Sequence, residues 1–241
     1  MSDTVRIIHR QGIEIRDLLY PPQCASCQRP GSWLCPPCRA VIKPMPEPAC
    51  TICGQRSPHS PCDRSREIPP AFDELRAAAL FEGPVREAVH RLKYGNLTAA
   101  APALAELLIA VWQRHHWDDD CIIPVPLHPA RQRQRGYNQS AELAKALSVT
   151  QKLPLYLTAL QRLRAGRDQI DLTVVERRTN VHSAFAVRHM EYVTGRHCVV
   201  IDDVATTGST LNECARMLKA AGATKVYALV LARQLIEESP N

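Results

Sequence analysis

The sequence predicts an α/β protein, a Rossmann-like parallel sheet preceded by a small metal-ribbon module, and three observations carry that prediction. From about residue 70 onward, apolar β-branched runs alternate with helical periodicities. The run Val199 to Thr210, Val-Val-Ile-Asp-Asp-Val-Ala-Thr-Thr-Gly-Ser-Thr, reads as a buried strand, a small polar loop and the start of a helix. Seven of the ten cysteines fall between residues 24 and 62, largely in pairs.

In the second of these, two carboxylates arrive where a strand leaves the core, and the strand is expected to end there. Ala205 to Ser209 are small and hydroxyl-bearing with one glycine, so backbone N–H groups and hydroxyls can converge on a phosphate. Leu211, Cys214, Ala215 and Leu218 repeat at helical spacing, and Thr210 with Glu213 fits a capping box. The loop would then sit at the positive end of a helix dipole. Acidic residues beside such a loop are unfavourable unless they accept hydrogen bonds from sugar hydroxyls or hold a water of a phosphate-bound magnesium ion.

At 241 residues the chain has room for one full α/β domain and a small module. The formal net charge is +6, and it is concentrated: residues 121 to 167 hold eight Arg or Lys against one acid, Glu142. Such a segment suits a polyanion, pyrophosphate or nucleic acid. No run of 18 apolar residues is present and the first sixteen residues lack a signal-peptide core, so no membrane insertion and a cytoplasmic location are expected. The paired cysteines then suggest metal in preference to disulfides.

Cys24, Cys27, Cys35 and Cys38 form two C-x-x-C knuckles, and four thiolates complete the closed coordination of a structural zinc ion. A second set, Cys50, Cys53 and Cys62, lacks a fourth cysteine because position 65 is Ser. His59 is a candidate fourth ligand; a degenerate ribbon held by packing is the alternative. Prolines crowd residues 44 to 70, and Pro69-Pro70 sets the expected boundary between a ribbon module, 1–70, and the main domain, 71–241.

Residues 72 to 81 fit strand or helix. Gly83-Pro84 opens a helix with Val85, Ala88, Val89 and Leu92 on one face, and another is expected from about Leu97 to Gln113. Arg91, Lys93 and Tyr94 are placed on the turn between them, as a ligand-facing edge or, alternatively, as ordinary surface. Cys121 to Pro126 reads as a short buried strand feeding a loop in which Arg131, Arg133 and Arg135 alternate, so that in extended backbone they share one side. Guanidinium forks suit phosphate oxygens, of pyrophosphate or of DNA. Gly136 permits a turn before Asn138 caps a helix. Thr173 and Glu176 suggest a further capped start, and Lys225 to Ala232 a last buried strand. Cys121, Cys198 and Cys214 fall on buried-looking positions.

The run at 199 to 210 closely resembles the phosphoribosyl-pyrophosphate (PRPP) signature of type I phosphoribosyltransferases. The resemblance implies that Asp202 and Asp203 face the ribose hydroxyls while Ala205, Thr206, Thr207, Gly208 and Ser209 wrap the 5′-phosphate. Pro-Val-Pro-Leu-His-Pro followed by Arg-Gly-Tyr-Asn-Gln-Ser, together with the cysteine ribbons, the Phe81 to Tyr94 region and the 160 to 185 segment, resembles the ComF family over nearly the whole chain. Ser65 is the one visible departure, where that family usually has a ribbon cysteine. The resemblance implies magnesium bound with PRPP, and a lid, for which Arg164, Arg167 and Gln169 are candidates by position. It favours a PRPP-binding protein that handles single-stranded DNA in natural transformation, with competence or DNA-processing proteins as further partners. A phosphoribosyltransferase in nucleotide or amine metabolism, its acceptor unidentified, and a PRPP sensor for a nucleic-acid-binding partner are the other readings. An aromatic content of 5% argues against base stacking as the main source of DNA affinity, although Trp33, Tyr94 and Tyr137 lie near suggestive loops.

Overall fold

The computed structural model describes residues 21–115, 117–163 and 184–235. Strands β1 (Glu74–Leu80), β2 (Cys121–Pro124), β5 (His197–Ala205) and β6 (Lys225–Arg233) form a four-stranded parallel sheet in the order β1-β6-β5-β2. Strands β3 (Leu160–Arg162) and β4 (Phe185–Val187) make a separate antiparallel pair. The 72 to 81 ambiguity is thus resolved as strand, because alternate residues of β1 are buried while β6 supplies the ladder. β5 also runs beyond the expected end. Asp202 pairs in register with Val230 and Ala205 with Arg233, so both aspartates lie within the strand and the loop shrinks to Thr206–Gly208.

Seven helices are described: α1 (Pro36–Ala40), α2 (Asp63–Glu67), α3 (Gly83–Tyr94), α4 (Ala101–His115), α5 (Pro129–Arg135), α6 (Gln139–Gln151) and α7 (Ser209–Ala220). A 3₁₀ turn, Thr98–Ala100, leads into α4, which therefore starts later than its periodicity suggests. α5 replaces the expected extended loop. Pro129 presets its first turn and His128 Nδ1 accepts from Ala130 N at 3.3 Å, a cap that the alternating arginines did not reveal. Gly136, at φ +84°, ends α5, and Asn138 Oδ1 caps α6 by accepting from Ser140 N at 3.0 Å, as expected. The capping box at Thr210 does not form. Gly208, at φ +77°, is the N-cap of α7, and Glu213 is turned inward to pair with Arg216 at 2.7 Å.

The core has two layers, one on each face of the sheet. Leu92, Leu104, Leu108, Leu143 and Leu147 from α3, α4 and α6 pack on Val199, Ile201 and Leu229; Leu211, Cys214 and Leu218 of α7 pack on Cys198, Val200 and Ala228. Complete burial of each Leu or Ile contributes about 1.5–3 kcal/mol. Cys121 and Cys198, with sulfurs 3.6 Å apart, and Cys214 are core thiols.

The cysteine module straddles the β1 edge. Residues of its first half, Cys24, Ala25 and Leu34, join one layer, and Cys50, Cys53 and Cys62 of its second half join the other. Leu80 N donates to Lys43 O at 2.9 Å and Leu75 N to Ile52 O at 2.7 Å, so the module satisfies edge groups that would otherwise invite another strand. At Gly54 (φ +69°) a Cβ would lie 2.5 Å from Leu75 O, which is why the junction takes glycine. Among the described residues no helix is long and apolar enough to cross a membrane.

Candidate functional site

A cavity of about 430 Å³ opens at the carboxyl ends of all four parallel strands. Its walls include the residue that directly follows each strand: Phe81, Val125, Thr206 and Gln234. Ligands of open α/β sheets bind at this end.

One wall is acidic. Asp202 and Asp203 are 9% and 3% exposed. Ser140 donates its hydroxyl to Asp202 Oδ1 at 2.7 Å, and the Asp203 amide donates to the same oxygen at 2.9 Å. Burial, reinforced by the neighbouring Asp203 charge and opposed by the Ser140 hydrogen bond, pushes the Asp202 carboxyl up to about 7. Lys93 Nζ lies 2.9 Å from Asp203 Oδ2. Burial works to lower the Lys93 pKa, but the Asp203 carboxylate outweighs it and holds the ammonium above its ordinary value.

Beyond the acids lies the loop. Ser209 N donates to Thr207 Oγ1 at 3.3 Å and the two hydroxyls are 2.8 Å apart. Gly208 at the N-cap offers no side chain and Thr207 Oγ1 takes the first amide of α7, so the amides that follow remain directed toward the loop. Ala205, Thr206, Thr207, Gly208 and Ser209 all line the cavity with the two aspartates.

Arginines line the cavity as well, but not as the alternating pattern implies. Because α5 is a helix, Arg131 and Arg135, four residues apart, line this cavity. Arg133 lies instead on a second, larger groove beyond α5, with Pro129, Gln132 and Gly136. Arg135 donates to Gln139 Oε1, and its guanidinium carbon is 5.4 Å from the centre of the Tyr94 ring. Arg162 of β3 joins the wall; burial first, and then the charge of Arg131, lower its pKa. Two cations that repel each other at a wet cavity wall favour an anion between them. Arg164, Arg167 and Gln169 lie outside the described residues, as do Thr173 and Glu176.

Ser140 and Arg162 are not singled out as site residues by sequence, whereas Lys93 and Tyr94, read from sequence as part of a ligand-facing edge, do line the cavity. Lys93 had a readable signal: it follows Leu92 on the flank of the buried Val85-Ala88-Val89-Leu92 stripe of α3, in the last turn of that helix. It is not on a turn between helices. Ser140 and Arg162 carried no comparable signal.

The cysteine module repeats one geometry twice. Short bridges pair Gln23 with Pro30 and Ala49 with Arg56, and α1 and α2 follow Cys35 and Cys62. Cys24, Cys27, Cys35 and Cys38 bring their sulfurs within 4.8 Å of one another, with Cys27 and Cys35 at 3.6 Å. A tetrahedral zinc ion with Zn–S near 2.3 Å places sulfurs about 3.8 Å apart, so the set fits. Burial raises the Cys24 pKa, but amides of Cys35, Cys27 and Ser26 pull it down to about 6, toward the thiolate that metal needs.

In the second ribbon, only Cys50, Cys53 and Cys62 converge. His59 is exposed, its backbone held by Ser57, and is not part of the cluster. The Ser-Pro-His-Ser-Pro turn carries it outward, which corrects its candidacy as fourth ligand. Ser65 stands beside this cluster, its Oγ 3.3 Å from Cys62 Sγ and 3.7 Å from Cys50 Sγ. A zinc-bound oxygen at about 2.0 Å beside sulfur at 2.3 Å requires roughly 3.5 Å, which these distances bracket.

Comparison with known proteins follows this division. A family model described as a double zinc ribbon domain matches residues 15–68, and one described as a phosphoribosyl transferase domain matches residues 133–241. The DNA utilization protein YhgH of Escherichia coli O157:H7 is 34% identical over 229 residues, covering 90% of this chain and 100% of that protein. Competence protein F of Haemophilus influenzae is 32% identical, over 83% of this chain and 90% of its own. The chain belongs to the ComF family. Competence protein ComFC of Bacillus subtilis is 25% identical, over 85% of this chain and 86% of its own. This ComF chain thus carries a type I phosphoribosyltransferase fold behind an N-terminal double zinc ribbon, and the cysteine sets are suited to structural zinc.

Proposed function

We propose that this ComF protein binds PRPP in the strand-end cavity and acts in the handling of single-stranded DNA during DNA uptake. One observation carries the ligand assignment: a single cavity is lined by buried carboxylates, by the loop and start of α7, and by arginines. That set of groups suits a ribose 5-phosphate bearing pyrophosphate. Asp202 and Asp203 accept from the ribose hydroxyls, Ala205 to Ser209 enclose the 5′-phosphate, and Arg131 and Arg135 meet the pyrophosphate.

Magnesium fits the same cavity. Two buried carboxylates and hydroxyl oxygens supply the hard ligands it prefers, with the ligand's phosphates completing its shell. When bound, it would neutralise pyrophosphate charge. Lys93 orients Asp203 through their 2.9 Å pair, and Ser140 fixes one oxygen of Asp202.

The DNA half of the proposal draws on the names of the family relatives, which refer to DNA utilization and competence, and on the basic segment. Titration calorimetry with PRPP and magnesium tests the ligand. Wild type is expected to bind, and Asp202→Asn combined with Asp203→Asn to lose binding at least tenfold while circular dichroism stays unchanged. Unaltered affinity in the double variant overturns the assignment. Adding labelled PRPP with a panel of bases and amines, and following pyrophosphate release, distinguishes a transferase from a binding protein.

A further inference from the structure

The groove on the far side of α5 has a volume of about 1,110 Å³ and meets the PRPP cavity along Pro126, Leu127 and Arg162. Helix α5 is the wall between them. Arg131 and Arg135 face one compartment, and Pro129, Gln132, Arg133 and Gly136 face the other, the division that helical periodicity imposes.

We propose that this groove is the single-stranded nucleic-acid track of the protein, separate from the PRPP cavity and divided from it by one helix. The proposal rests on the DNA reading above and assigns it a place and a mode. Besides Arg162 of β3, which it shares with the PRPP cavity, its cations come from three further elements: Arg133 on α5, Lys145 on α6 and Arg188 just after β4. Arg133 and Arg188 are exposed. Arg188 is oriented by donating to Gln161 Oε1, and Lys145 is tied to Glu142, the groove's one carboxylate, at 2.8 Å. Cations spaced along a groove suit a chain of phosphates better than one compact anion.

The floor decides between single strand and duplex. Leu127, Pro129 and the half-exposed Leu157 line it, with the Tyr137 ring held in place by its hydroxyl, which donates to Leu92 O at 2.5 Å. A duplex keeps its bases inside and gains nothing from an apolar floor. An unpaired strand presents base faces that bury against one. Asn138 and Gly136, at the floor's edge, also cap α6 and end α5, so a strand in the groove leans on the helix that holds Arg131 and Arg135.

Fluorescence anisotropy with a labelled oligothymidylate, across 50 to 300 mM salt, tests the proposal on the full zinc-loaded chain. Wild type is expected to bind the single strand, and an abasic strand of equal length about tenfold more weakly. Arg133→Ala and Arg188→Ala should each flatten the log–log salt slope by about 0.7, with PRPP affinity unchanged within twofold. Wild-type binding with unaltered slopes in both variants overturns the groove while leaving the DNA reading intact. Equal affinity for duplex and single strand also overturns it. No binding by wild type removes both, and PRPP affinity that falls with Arg133→Ala refutes the division by α5.

Discussion

Replacing Lys93 with methionine removes the cation paired with Asp203 and keeps most of the side-chain volume. At about 3 Å and an effective dielectric near 20, the gross attraction to Asp203 is about 6 kcal/mol. Desolvation of both ions offsets much of it, but breaking a buried pair from one side leaves an uncompensated charge, which costs about 3–5 kcal/mol. With 2–4 °C per kcal/mol for a chain of this size, a loss of about 3 kcal/mol lowers Tm by roughly 6–12 °C. The loss should depend on pH in a defined direction. In the variant, Asp202 and Asp203 face each other without Lys93, so the pair takes up a proton more readily than in wild type, where Asp202 already titrates near 7. At pH 8 the penalty is therefore largest, and at pH 5.5 the proton on the pair removes the repulsion between the two carboxylates and makes the deficit smaller. Paired urea melts of zinc-loaded wild type and Lys93→Met at the two pH values measure this. Equal deficits at both would show that Lys93 contributes by packing alone, and no deficit at either would refute the ion pair.

Asp202 makes a linked prediction. The folded protein keeps its proton up to about 7, while an unfolded aspartate loses it near 3.8, so the folded state binds more protons in between and stability falls as pH rises across that window. Ribose hydroxyls favour the ionised carboxylate, so PRPP binding near pH 7 should release a proton, seen as a binding enthalpy that changes with buffer ionisation enthalpy; a buffer-independent enthalpy contradicts this. For the ribbons, chelator titration should remove metal from the Cys50-Cys53-Cys62-Ser65 set before the four-cysteine set. Ser65→Cys should bring both to similar resistance, and loss in the reverse order would show that Ser65 does not define the weaker site.

What chain order alone decides is local. The Val199 to Ser209 run fixes a strand, a glycine-bearing turn and a helix start because β-branched residues, small hydroxyls and Gly208 have few other uses in that sequence. The Cys24 to Cys38 knuckles fix a ribbon because two-residue spacing already aims two thiolates at one point. The Asn138 cap and the Gly136 turn were legible for the same reason: each is settled within a few residues.

What tertiary structure decided are the groups whose partners are far away in sequence. Lys93 and Asp203 are 110 positions apart, and Ser140 reaches Asp202 from 62 residues away. No local pattern encodes such meetings. The extent of β5 came from β6, which supplied a ladder past the aspartates. Alternating arginines looked like one face because extended backbone was assumed, and a histidine cap made them a helix with two. His59 matched the missing ligand by type, yet its turn carries it outward, and Ser65 is the residue that tertiary packing sets beside Cys50 and Cys62.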